Sequence, residues 1–169
     1  MKKNSMEKLL TDLILENKEK SYRLAFSYVR NEEDALDVIQ ESIYKALKKV
    51  HTLDNPQALK SWFLRIVVNT SLDLLRKRKK EVIVDDDTLE FVSPNSNDTY
   101  EDVDLKKQLN ELPLKYRTVI ILKFFEDLKL REIAEILQES ESTIKSRLYR
   151  GLKMMQVQMS HDFIEEEVK

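Results

Sequence analysis

A single glycine, Gly151, and three prolines stand in a chain of 169 residues, and this scarcity of breakers constrains the fold more than any one motif. Glycine and proline are the residues that stop helices, open tight turns and bulge strands. A chain nearly free of them, and rich in Leu, Lys and Glu, reads as all-α. Hydrophobic residues make up 41% of the sequence and charged residues 36%, which suits amphipathic helices in small domains with much surface. There is no cysteine, so disulfides and thiolate metal sites are excluded and a reducing compartment fits. No apolar run is long enough to cross a bilayer and the start MKKNSMEKLL lacks a signal-peptide core, so a cytoplasmic location is expected.

The stretch from Leu130 to Leu152, LREIAEILQESESTIKSRLYRGL, reads as two short helices folded across a tight turn. Leu130, Ile133, Ala134 and Leu137 recur at helical spacing in the first, and Ile144, Leu148, Leu152 and Met155 in the second. Between them Gln138, Glu139 and Ser140 interrupt the apolar pattern, and Ser140 is placed to cap the new helix near Thr143. With Ile144 and Leu148 turned inward, Ser142, Ser146, Tyr149, Arg150 and Lys153 face outward, flanked by Thr143, Lys145 and Arg147. Small hydroxyls at the start of a cationic helix suit entry into a DNA major groove, where Arg and Lys reach base edges or phosphates. A plain solvated face is the alternative for any amphipathic helix.

Taken in order, residues 6–29 predict one helix, or two with a break near Asn17 to Lys20. Asn31 then stands as an N-cap ahead of Glu32, Glu33 and Asp34, where the helix dipole favours negative charge. This second helix is expected to bury Ala35, Leu36, Val38, Ile39, Ile43, Ala46, Leu47 and Val50. Asp34, Asp37, Gln40, Glu41 and Lys45 are left at least partly exposed as an acidic, polar edge. Asn55-Pro56 opens the third helix. Its inward face takes Leu59, Trp62, Phe63, Ile66, Val67 and Thr70, and Arg65, Asn69, Asp73, Arg76 and Lys80 line the other side. From Lys60 to Lys80 there are seven positive charges and one negative, a helix able to bind a phosphate backbone with strong salt dependence. Trp62 invites base stacking, but its spacing with Phe63 and Ile66 favours the core.

The charge then reverses: residues 81–104 hold nine acidic side chains and no Lys or Arg. With the turn-rich VSPNSND inside it, this segment reads as a flexible acidic linker between two small helical domains. The second domain opens with Leu105, Leu109 and Leu112, continues after Pro113 with Tyr116, Val119, Ile120, Leu122, Phe124 and Phe125, and closes on the helix-turn-helix. The expected boundaries are 1–80, a linker over 81–102, and 103–169. His51 and His161 have no ligand spacing, so no metal, cofactor or acid–base role is assigned to them. No nucleophile–base set and no phosphate loop is present, so enzymatic activity on a small-molecule substrate is not expected.

Three stretches in order resemble the extracytoplasmic-function group of bacterial RNA polymerase sigma factors, and within it the sigma-V type. YRLAFSYVRNEEDALDVIQESIYKAL is similar to the first part of a sigma-2 domain. SWFLRIVVNTSLDLLRKRKK is similar to its later helix, and LPLKYRTVIILKFFEDLKLREIAEILQESESTIKSRLYRGL to a sigma-4 domain. Related helix-turn-helix elements often carry glycine where this chain has Gln138 and Ser142, so a left-handed turn at Gln138 would be mildly strained.

The resemblance implies a detachable subunit that binds core RNA polymerase and directs it to two promoter DNA elements. Asp37, Gln40 and Glu41 would meet the core enzyme. Asn69, Asp73, Arg76 and Lys77 would engage the minus-10 element, where capture of single-stranded DNA drives opening. Ser142, Thr143, Lys145, Ser146, Arg147 and Arg150 would read the minus-35 element as duplex. A membrane-anchored anti-sigma factor is expected to hold the protein inactive, in an envelope stress response. Two alternatives are a dimeric operator-binding regulator, which leaves the acidic second helix and basic third helix without a task, and a helical protein adaptor, which the basic patch speaks against.

Overall fold

The computed structural model describes the backbone of residues 2–82 and 107–158 and the side chains of 4–80 and 107–155. Among the described residues there is no strand. The chain forms two compact units, Met1–Pro94 and Asn95–Lys169. Most of the expected linker and Leu105 lie outside the described residues.

The first unit holds helices α1 (Lys2–Glu16), α2 (Lys18–Val29), α3 (Glu32–Lys49) and α4 (Leu59–Val82). Of the two readings of the N-terminal stretch, the one with a break holds, at Asn17. Both its backbone N–H and its side-chain amide donate to the Leu13 carbonyl, each at 3.0 Å, which closes α1. Arg30 ends α2 in a left-handed conformation, φ 55°. Asn31 caps α3 as expected, its Oδ1 accepting from the Asp34 N–H at 3.1 Å. Acidic residues fill the first turn of α3, with Lys48 and Lys49 in its last, so both ends complement the helix dipole. Two 3₁₀ turns, Val50–Thr52 and Pro56–Ala58, lead into α4. Asn55 caps the second of them by accepting from the Gln57 N–H at 3.0 Å.

Helices α2, α3 and α4 pack on one another around Leu24, Ala25, Ala35, Val38, Val67 and Val68, all buried. Full burial of each Leu or Val contributes about 1.5–3 kcal/mol. The buried face of α3 differs from the expected one. Leu36 and Leu47 are exposed, while Asp34 and Ser42 are buried in the packed layer. Ser42 bears this without an orphan hydroxyl, because its Oγ donates to the Val38 carbonyl at 2.6 Å. Asp34 bears it through an ion pair with the Arg78 guanidinium near the far end of α4, since a buried charge persists only when paired. On α4 the inward face is centred on Phe63, Leu64, Val67, Val68 and Ser71, and Trp62 and Ile66 sit at its half-buried margin.

In the second unit residues 107–111 are helical (α5), followed by α6 (Leu114–Ile120), a π turn (Ile121–Phe125), α7 (Leu130–Leu137) and α8 (Glu141–Gln158). The buried Arg117 joins α5 to α6 by donating to the carbonyls of Asn110 at 3.3 Å and Leu112 at 3.1 Å. The π turn carries no mark in the sequence. It is closed by the Glu126 N–H reaching the Ile121 carbonyl five residues back, at 3.1 Å, and it leaves Phe124 exposed. Leu109, Leu112, Ile120 and Met155 form a core with Phe125 and Leu148 packed against it. Gly151 lies where α8 meets α6. A Cβ there would stand 2.8 Å from Ile120 Cδ1 and 3.3 Å from Tyr116 Cβ, so the one glycine of the chain marks a close helix–helix approach.

Candidate functional site

The turn between α7 and α8 follows from short polar side chains. Glu132 closes the start of α7 by accepting from the Lys129 N–H at 2.8 Å. Gln138 ends α7 in the left-handed region, φ 56° and ψ 45°, as the missing glycine implied. Ser140 Oγ accepts from the Thr143 N–H at 3.1 Å, which is the expected cap. With Ile144 buried and Leu148 half-buried beneath, Ser142, Lys145, Ser146, Tyr149, Arg150 and Lys153 are exposed, and Thr143 and Arg147 lie at the flanks. All six residues assigned to this face on sequence grounds therefore stand together on α8, which runs past Leu152 and carries Met155, the last apolar position of the expected pattern.

A concave polar pocket of about 330 Å³ opens beside that face. Ser142, Thr143, Ser146, Arg147 and Arg150 line it from α8, and Lys115 and Tyr116 from α6. Arg147 pairs with Glu139 at 3.0 Å. Lys115 Nζ lies 5.0 Å from the centre of the Tyr116 ring, a cation–π distance. The Tyr116 hydroxyl is held below the usual phenol range, first by hydrogen bonding to Arg150 and further by the positive charge of Lys115, against an opposing push from burial. Lys115 and Tyr116 escaped the reading of sequence because they belong to a different helix, brought alongside by the packing of α6 on α8 at Gly151 and in the core around Ile120 and Met155.

On α4, Asn69, Asp73 and Arg76 follow one another along an exposed stripe with Lys77 beside it. Arg76 donates to Asp73 at 3.4 Å, an exposed pair worth little on its own. Arg78, by contrast, is engaged with Asp34. Lys45 ties α3 to α4 by donating to Thr70 Oγ1 at 3.2 Å.

On α3, Asp37, Gln40 and Glu41 are exposed. They are accompanied by two side chains that the sequence reading had placed inside, Leu36 at 53% and Leu47 at 43% exposed, and by Tyr44, to which it gave no place, at 57%. Positions 36, 40, 44 and 47 succeed one another along one side of a helix. The result is a line of three apolar side chains, interrupted by Gln40 and edged by carboxylates. Seven of the eight expected core positions lie on this 18-residue helix and Val50 in the turn after it, a number that one buried face accommodates, so nothing in the sequence set Leu36 and Leu47 apart from the buried ones.

Among the described residues there is no cluster of three or more metal-ligating side chains, and no helix is long and apolar enough to cross a membrane.

Residues 13–81 match the family model described as Sigma-70 region 2, and residues 102–155 match Sigma-70, region 4. RNA polymerase sigma factor SigV of Bacillus subtilis (strain 168) is 53% identical, over 95% of this chain and 97% of that protein. The chain belongs to the sigma-70 family of RNA polymerase sigma factors. ECF RNA polymerase sigma factor SigW of the same organism is 29% identical over 88% of this chain and 87% of the relative. Among solved structures, the sigma factor RpoE in complex with the anti-sigma factor NepR from Bartonella quintana is 26% identical. It matches with a TM-score of 0.79, covering 90% of this chain and 97% of that one. These matches place the protein among the extracytoplasmic-function sigma factors, which are transcription initiation factors, and make its first unit a region 2 domain and its second a region 4 domain.

Proposed function

We propose that this sigma factor divides its work among three faces: α3 docks on core RNA polymerase, α4 engages the minus-10 element, and α8 reads the minus-35 element. The observation that carries the reading is the face of α8. Ser142, Ser146 and Arg150 are exposed on the side opposite the buried Ile144 and Gly151, a short-chain, cationic surface suited to a major groove. Arg150, Lys145 and Arg147 supply base-edge and phosphate contacts, and the hydroxyls of Ser142, Thr143 and Ser146 allow close approach.

On α3, Asp37, Gln40 and Glu41 form the polar part of the docking surface. The exposed Leu36, Tyr44 and Leu47 support this reading, because large apolar side chains gathered on one side of a helix beside charges favour a partner over plain solvation. On α4, Asn69, Asp73, Arg76 and Lys77 hold the melted strand. Binding only the open form shifts the duplex toward opening. The protein is a positioning subunit and performs no catalysis. It acts in the cytoplasm, in an envelope stress response, and a membrane-anchored anti-sigma factor restrains it. The restraint is supported by the likeness to RpoE, itself solved with the anti-sigma factor NepR.

Run-off transcription with purified core polymerase on a library of promoter fragments tests the proposal. Start sites are expected only when the protein is added, and their upstream sequences define the two elements. Silence with core, together with protection of discrete duplex sites by the protein alone, would replace it with a dimeric regulator.

A further inference from the structure

The pocket between α6 and α8 gathers positive charge that the described residues neutralise only in part. Arg147 is answered by Glu139, but among the described residues no carboxylate pairs with Lys115 or Arg150. Both stand around one phenol: Lys115 lies over the Tyr116 ring and Arg150 lines the same pocket as Tyr116. Holding two cations around one concavity is unfavourable until an anion enters, and the hydroxyls of Ser142, Thr143 and Ser146 supply further donors in the same wall. The pocket opens beside the outward face of α8, so the anion that accompanies a groove-bound helix is the phosphodiester at the groove's edge. Contacts of that type set depth and register without reading sequence.

We propose that Lys115 and Tyr116, on α6 and outside the helix-turn-helix, complete the minus-35 site: Lys115 grips a backbone phosphate, and the Tyr116 hydroxyl holds Arg150 in the orientation that reads its base. The proposal rests on the assignment of α8 to the duplex. It separates two roles that a merely structural pair would not separate.

The test uses the full chain assembled with core polymerase, on a promoter found by run-off transcription and on a pool randomised at the distal element. Closed-complex affinity is measured against salt. Lys115→Gln is expected to weaken binding to every distal sequence equally and to reduce the slope of log K against log salt by about one. Its sequence preference is unchanged, and Lys115→Arg restores the slope. Tyr116→Phe, which keeps the ring in place, is expected to leave the slope alone and to relax preference at one base pair by roughly tenfold, within the range that one Arg–guanine contact supplies. Arg150→Ala serves as the reference for α8. If Arg150→Ala weakens binding while Lys115→Gln keeps the parent slope, or Tyr116→Phe keeps the parent preference, the α6 contact is overturned and α8 stands. If Arg150→Ala is also without effect, the assignment of α8 itself falls.

Discussion

Gln138 holds a left-handed backbone, φ 56°, at the turn on which the geometry of α7 and α8 depends. An L residue there costs roughly 1–2 kcal/mol, of which glycine returns part through its own chain entropy. Gln138→Gly is therefore expected to stabilise the protein by ~0.5–1 kcal/mol, read as a higher urea midpoint with an unchanged slope. Gly151 is the opposite case. A Cβ would already approach Ile120 and Tyr116 within 2.8 and 3.3 Å, and Gly151→Val adds two more methyl groups to that contact. Overpacking of this kind costs about 1–3 kcal/mol, and a thermal melt following the second unit should show the loss. The strain at Gln138 was legible in the sequence, because a missing glycine at a helix end names the residue that must replace it. The packing at Gly151 was not, because the partner lies on a helix some thirty residues away.

Among the elements, α8 turns inward the face that its letters indicate, whereas α3 keeps its expected cap and extent but not all of its expected buried face. Ile144 and Leu148 leave only one way to orient α8, whereas α3 has apolar residues around more than one face and the sequence does not say which a partner covers. The fold resolves this by burying Asp34 against Arg78 and Ser42 against its own backbone, which turns Leu36 and Leu47 outward. Removing Arg78 leaves Asp34 buried and unpaired. Arg78→Ala is expected to destabilise the first unit by about 1–3 kcal/mol, and adding Asp34→Asn should recover part of that loss in a double-mutant cycle. Charge reversal on the exposed edge should behave differently. Asp37→Lys with Glu41→Lys is expected to leave the melting temperature within the small range of surface substitutions and to weaken capture of core polymerase at least tenfold. Weakened capture with a lowered melting temperature would assign the effect to folding.

For the molecule as a whole, the two helical units and their order were legible because each amphipathic pattern is local and the charge reverses between them. What was not legible is the part made by packing: the exposed stripe on α3, the π turn after α6, and the pocket shared by α6 and α8. The central claim is that α3 faces core polymerase while α8 faces duplex DNA in the same complex. It is tested most directly by placing a photo-crosslinking side chain at Gln40 and, separately, at Ser146 in the assembled polymerase–promoter complex. The account predicts that position 40 couples to a core subunit and position 146 to the minus-35 duplex, with no DNA adduct from position 40. DNA adducts from position 40, or core adducts alone from position 146, would contradict it.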